Sequence, residues 1–194
     1  MELKFIAKGK RSNVFITKYK NKTIAVKVER EDIKAKDRIL NEIKFLKKLN
    51  KYKIGPKLIS YKKNYFSYEY IEGPFFVVWI KNKNKKEIKN MIKKILEKCY
   101  TLDKLKINKK EFTRPIKHII IQKNKPRFID FERCYYTKKP KNITQFYQFL
   151  ITNNMLKILK KKGFKPNKDE IIKNLKIYKR NQNQNNFNKL LKLL

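Results

Sequence analysis

The chain has 194 residues, 41% of them hydrophobic, with 53 Lys and Arg against 16 Asp and Glu for a formal net charge of +37. That length supports one good hydrophobic core, or two small lobes. The composition excludes several classes. The longest apolar run, Phe75 to Ile80, is too short to span a bilayer, MELKFIAKGK turns charged before a signal-peptide core develops, and two Cys with one His make no recognisable zinc site. The expectation is a cytoplasmic protein with free thiols and no membrane partner.

In chain order, ELKFIAK, Asn13 to Lys18 and Thr23 to Glu29 read as strands. They are short, alternating or β-branched, and separated by the turn-like GKRS and KNK. Asp32 to Leu49 carries apolar residues at 39, 40, 43, 46 and 49, the period of an amphipathic helix, and Ile54-Gly55-Pro56 closes it. Lys57 to Tyr61 and Tyr65 to Ile71 read as two further strands. Glu72-Gly73-Pro74 has turn composition and divides the chain, giving an N-terminal domain over 1–72 and a second over 73–194. Beyond it, Lys86 to Leu105 predicts a helix. His118 to Gln122 and Arg127 to Asp130 predict two short strands, and 143–161, 167–178 and 187–194 predict helices, with RNQNQNNFN as a loosely held link. The whole reads as an α+β fold with five antiparallel strands and one helix before a mainly helical remainder.

The net charge has two explanations. Lys-rich surfaces attract phosphate backbones, which points to RNA or a ribonucleoprotein assembly as a partner. Alternatively, Lys and Asn in place of Arg and Ala reflect a compositional bias, since the cations are spread along the chain.

A few residues stand out for chemistry. Gly9-Lys10-Arg11-Ser12-Asn13-Val14 is either a plain hairpin turn or a loop whose backbone N–H groups and Ser12 hydroxyl approach phosphates. In Ala25-Val26-Lys27, alternation puts Ala25 and Lys27 on one face. Glu42 sits at the edge of the helix's apolar stripe, where a carboxylate needs a cation, and Lys27 is the natural one. In FIDFERC, alternation puts Phe128 and Asp130 on one side. Asp130 is then either a strand end that caps the next turn or a metal ligand.

Taken in order, these pieces resemble the protein kinase-like superfamily. GKRSNV is similar to a shortened glycine-rich loop, AVK to the strand of the phosphate-binding lysine, Glu42 to its helix partner, YEYIEG to the hinge and IDFE to the metal-binding segment. The resemblance runs from about residue 5 to 135 and is nearest to small atypical archaeal kinases, of the RIO type and of the type associated with tRNA threonylcarbamoyladenosine modification. It implies a two-lobed fold that binds ATP and Mg²⁺ and transfers phosphate to a protein or small molecule. Lys27 would hold the α- and β-phosphates, Glu42 would orient it, and Asp130 would ligate Mg²⁺. The adenine would lie between Val14, Ala25 and the backbone near Glu69 to Ile71, with Gly9 and Ser12 over the phosphates.

The chain departs from the family where the catalytic loop should be. Between Asn108 and His118 there is no Asp, so Glu111 takes the base position with an insertion of about two residues. His118 falls where a second metal ligand belongs, Arg114 or Lys117 is placed to meet phosphate, and Glu132 replaces the family's glycine. A nucleotide-binding pseudokinase or scaffold in an RNA-processing or tRNA-modification assembly is the alternative. A basic RNA-binding domain that stacks bases on Tyr65, Phe66, Tyr68 and Tyr70 is a third reading.

Overall fold

The computed structural model of the protein describes residues 2–32 and 37–193. Alternating β-branched and aromatic residues favour extended backbone because their side chains pack on a pleated surface. They form β1 (Lys4–Lys8), β2 (Ser12–Tyr19), β3 (Lys22–Glu29), β4 (Leu58–Tyr61) and β5 (Tyr65–Glu69). These make one five-stranded antiparallel sheet in the order β1-β2-β3-β5-β4. Lys20 and Asn21 join β2 to β3 with φ of 47° and 59°, the two positive values of a tight hairpin turn. Helix α1 (Arg38–Asn50) packs on β3, β4 and β5 and buries Ile39, Glu42, Ile43, Phe45, Leu46 and Leu49.

Two details of this region differ from the periodicity. Leu40, counted with the apolar stripe, is exposed, and Phe45 takes a core position instead. The helix begins at Arg38, and residues 33–36 of the expected Asp32 start lie outside the described residues.

Contacts divide the chain into two compact units, Met1–Gly73 with Arg127–Cys134, and Pro74–Pro126 with Tyr135–Leu194. The second unit opens with the short helix α2 (Phe76–Trp79) and continues into α3 (Lys85–Lys104). Asn84 and Glu87 start α3 with a reciprocal capping box. Next come β6 (Ile107–Lys109), a 3-10 turn (Lys110–Thr113), β7 (Ile119–Gln122), β8 (Lys125–Phe128) and β9 (Cys134–Tyr136), with β8 and β9 running across the division. Helices α4 (Asn142–Leu150), α5 (Asn153–Lys161), α6 (Lys168–Arg180) and α7 (Gln184–Lys192) complete the chain. The fold is therefore α+β.

The helix expected over 143–161 is two helices. Thr152 turns to extended backbone and its hydroxyl donates to the Phe149 carbonyl at 2.8 Å, a local bond that competes with helix continuation. The polar stretch 180–188 is no loose link. Asn183 caps α7 by accepting the Asn186 N–H at 2.8 Å, and Phe187 stacks on Tyr100 with ring centroids 4.4 Å apart.

One buried carboxylate organises the second unit. Asp103, near the end of α3, accepts from the Asn142 N–H at 3.0 Å, the Asn142 side-chain amide at 2.7 Å and the Tyr178 hydroxyl at 3.0 Å. Asn142 in turn accepts the Lys109 N–H at 2.8 Å, so α3, α4, α6 and β6 meet at one polar node. Burial pushes the Asp103 carboxyl up from 3.8 to about 6, against these hydrogen bonds. A raised folded-state value means that the native protein binds the proton more tightly than the unfolded chain. Its contribution is then fully present below pH 4 and lost as pH rises through about 6. Asp103→Asn removes the titration: the tyrosine hydroxyl can accept from the new amide, and only the long Ile143 N–H bond at 3.4 Å loses its acceptor. Urea unfolding from pH 4 to 7 should show the wild type losing on the order of 3 kcal/mol relative to the variant across that window. A pH-independent difference would refute the assignment.

Candidate functional site

Lys27 occupies a central strand, paired in register with Val14 on β2 and Phe66 on β5. Directly opposed residues of antiparallel strands share a face, so Val14, Ala25, Lys27, Phe66 and Tyr68 line one side of the sheet, and Ile24 and Glu69 the other. Ala25 and Lys27 share a face, as alternation predicts, and both are buried.

The Lys27 ammonium is shared between two carboxylates. Its Nζ donates to Glu42 Oε2 at 2.6 Å and to Asp130 Oδ1 at 3.1 Å. Burial alone lowers the affinity of a lysine for its proton, but Glu42 and Asp130 reverse this and hold Lys27 well above the ordinary lysine range. Burial also pushes the Tyr68 phenol up, despite the same ammonium. Glu42 has no oxygen to spare, since Oε1 accepts the Phe131 N–H at 2.9 Å. Asp130 is the more accessible of the two acids, with 33% of its side chain exposed against 4% for Glu42.

The geometry at Asp130 departs from the strand expected over Arg127 to Asp130. Strand β8 ends at Phe128, and Asp130 has φ of 63°, in the left-handed region where Asp is one of the few tolerated residues. Alternation from Phe128 therefore does not set the direction of its carboxylate. The turn aims the Phe131 N–H at Glu42 and seats the Phe131 ring against Gly55, whose own φ is +80°. A Cβ on Gly55 would lie 2.9 Å from that ring and 3.0 Å from Leu46. Gly55 is thus more than the helix stop that its sequence context suggests.

Two further contacts fasten this segment to α1 and to the β1–β2 loop. Asn41 donates its amide to the Glu132 and Cys134 carbonyls at 2.9 and 3.0 Å. Arg11 donates to Glu132 at 2.9 Å, so Glu132 is one half of an ion pair. Sequence reasoning missed both. Asn41 adjoins Glu42 on the helix, which is the one available signal.

The remaining expected residues fall as follows. Gly9 donates its N–H to the Ser12 carbonyl at 2.8 Å, closing the loop, and Ser12 is buried at the start of β2. Val14 is half-buried. Glu69 donates its N–H to the Lys57 carbonyl and its carboxylate accepts from Arg127 at 2.6 Å, while Tyr70 donates its N–H to the Thr23 carbonyl and Ile71 is buried. In the second unit, Glu111 is buried and pairs with the fully buried Lys109 at 3.1 Å. Arg114 and Lys117 are exposed and His118 is half-buried, its N–H donated to the Pro115 carbonyl. Asp130 and His118, the two expected metal ligands, belong to different units. Among the described residues no group of three or more His, Cys, Asp and Glu could hold a metal unaided.

No protein-family model and no curated protein matches the chain. The assignment of function therefore rests on the chemistry of these residues.

Removing one member of a buried ion pair strands the other, typically at about 3 to 5 kcal/mol, whereas removing both is far less harmful. Glu42→Gln keeps an acceptor for the Phe131 N–H but leaves Lys27 with Asp130 alone. Equilibrium unfolding in urea should show Glu42→Gln destabilised by about 3 kcal/mol, and the double variant with Lys27→Met less destabilised than this single one. Simple additivity of the two substitutions would contradict a coupled pair.

Proposed function

We propose that the chain is an ATP- and Mg²⁺-dependent phosphotransferase of the two-lobed protein kinase-like fold, acting on a serine or threonine hydroxyl of a protein or on a small molecule. The observation that carries this reading is the Lys27 ammonium held between Glu42 and Asp130. A surface ion pair has little energetic worth, but a buried one that fixes an ammonium beside an accessible carboxylate suits a phosphate with its metal. In this reading the two units stand for the two lobes.

The donor set fits Mg²⁺. This ion takes oxygen ligands and commonly uses one or two protein carboxylates, with phosphates and water for the rest. Asp130 is an accessible carboxylate, whereas Glu42 is buried with each oxygen already engaged, by Lys27 and by Phe131. When bound, the ion would neutralise charge on the phosphates. Lys27 would supply the positive charge for the α- and β-phosphates, and Gly9 and Ser12 would lie over them. Val14 and Ala25, on the Lys27 face, would meet the base, with Ile71 as the hinge residue because Glu69 and Tyr70 already donate their N–H groups within the sheet. Glu111 would receive the hydroxyl proton, and the exposed Lys117 would meet acceptor phosphate or backbone. His118 would be an additional ligand.

A specific observation favours the second reading, a nucleotide-binding pseudokinase or scaffold. Glu111 is already engaged by Lys109, and Glu132 ties the glycine-loop side chain Arg11 to the metal-binding segment. Either contact could serve a protein that binds nucleotide without turning it over.

Mg-ATP at a hundred times its dissociation constant should stabilise the protein by about 2.7 kcal/mol, a rise of roughly 5 to 10 °C in Tm for a chain of this size. Asp130→Asn, which keeps the left-handed backbone, should abolish the shift. Glu111→Gln should keep the shift and lose labelled product. A wild type that shifts but makes no product supports the pseudokinase, and a wild type whose Tm ignores Mg-ATP overturns both readings.

A further inference from the structure

A cavity of about 510 Å³ in the second unit is lined, among the described residues, by Lys139, Lys176, Lys179 and Arg180 alone. Abundant lysine does not by itself explain this. Three other cavities of the chain also contain lysines, yet each includes a glutamate, Glu170, Glu69 or Glu97. Among the described residues the cationic cavity has no carboxylate on its wall.

Its frame is rigid. Lys176, Lys179 and Arg180 fall at i, i+3 and i+4 on α6 and so share a face. The Tyr178 hydroxyl bonded to Asp103 anchors that helix at 3.0 Å. Gln182 donates to the Pro140 carbonyl at 2.7 Å, and Lys141 gives its N–H to Asn108 at 2.7 Å, which hold Lys139 beside α6. Cations in a last helical turn are favoured by the helix dipole, which accounts for Lys179 and Arg180. It does not account for Lys139, brought from another segment to face them. Four like charges around one hollow repel, and an anion relieves the repulsion.

The neighbouring residues indicate which anion. Tyr135 and Tyr136 end β9, each residue 46% exposed. Successive strand residues point to opposite sides, so the two rings offer aromatic surface on both sides of the strand. Tyr136 is three residues from Lys139, no more than about 11 Å away along the chain. Cations that track a backbone beside exposed aromatic rings are the elements of sequence-tolerant single-strand binding. Three of the four cations are lysines, which act as point charges on phosphate, not as readers of base edges.

We propose that this face of the second unit, Tyr135-Tyr136 with Lys139 and the end of α6, is a binding site for single-stranded nucleic acid. The lysines and Arg180 neutralise successive phosphates, and a tyrosine stacks on a base. The site is independent of the phosphotransferase reading and its test uses no nucleoside triphosphate.

The test measures binding of a fluorescein-labelled twelve-residue oligouridylate by anisotropy over a salt series, with heparin as a polyanion that has no bases. Replacing all four cations by Gln should flatten the slope of log affinity against log salt by about 3, from roughly 0.7 per phosphate contact. A matched variant that removes Lys18, Lys20, Lys22 and Lys57 in the first unit should leave most of the slope. Tyr135→Ala with Tyr136→Ala should weaken oligouridylate about tenfold and leave heparin affinity unchanged. Circular dichroism and urea unfolding verify that each variant folds. Equal flattening by the two quadruple variants, or oligouridylate binding indifferent to the tyrosines, would mean general charge attraction and overturn the site.

Discussion

The first unit is organised around one buried positive charge. Lys27 lies on a central strand, where its ammonium is largely withheld from bulk water, and a charge in such a place must be matched or lost. Two carboxylates match it, from α1 and from the segment after β8, which lie far apart in sequence. The pairing therefore does more than neutralise. It determines where α1 rests on the sheet and how the chain must turn after Phe128, because each acid has to arrive within hydrogen-bonding distance of the same nitrogen.

The surrounding contacts follow from that demand. Glu42 uses its second oxygen to hold the Phe131 N–H, so the helix positions the Asp130 turn through the backbone as well as through Lys27. Asn41, one residue earlier, holds two carbonyls of the same segment. Gly55 leaves room for the Phe131 ring, and Arg11 holds Glu132. A glycine after Phe131 would give that segment more conformational freedom. Here Glu132 replaces such freedom with a tether, which suits a segment kept in one arrangement.

Much of this was legible in the residues. The five strands, α1 and α3 emerge from residue pattern: α1 and α3 each have one buried and one wet face, and the strands show as short alternating or β-branched runs between turn residues. The Lys27–Glu42 pair was legible for a related reason, since a charge on an apolar stripe needs a partner. Asp130 as the third member was less so. Its left-handed φ breaks the alternation on which a strand reading depends, and Asp tolerates that conformation without announcing it in sequence. Lys109 was missed because a fully buried lysine looks the same in sequence as its many exposed neighbours. The break at Thr152 and the start of α7 at Gln184 were missed because single hydroxyls and amides decide them, in stretches whose composition points to continuous helix or to loop.

The outer strand β1 shows what the excess charge guards against. It is an edge of the sheet, all five of its residues are exposed, and Phe5 and Ile6 present apolar surface beside unpaired backbone. Such an edge is a template for another chain, and lysines at both ends are a familiar deterrent. Two copies each carrying +37 repel before their edges can meet. That deterrent has a range set by the solvent, about 10 Å at 0.1 M salt and about 3 Å at 1 M. Colloidal stability in this protein is therefore an electrostatic property of the solution as much as of the fold, and concentrated salt strips the edge of its protection while leaving every buried contact in place.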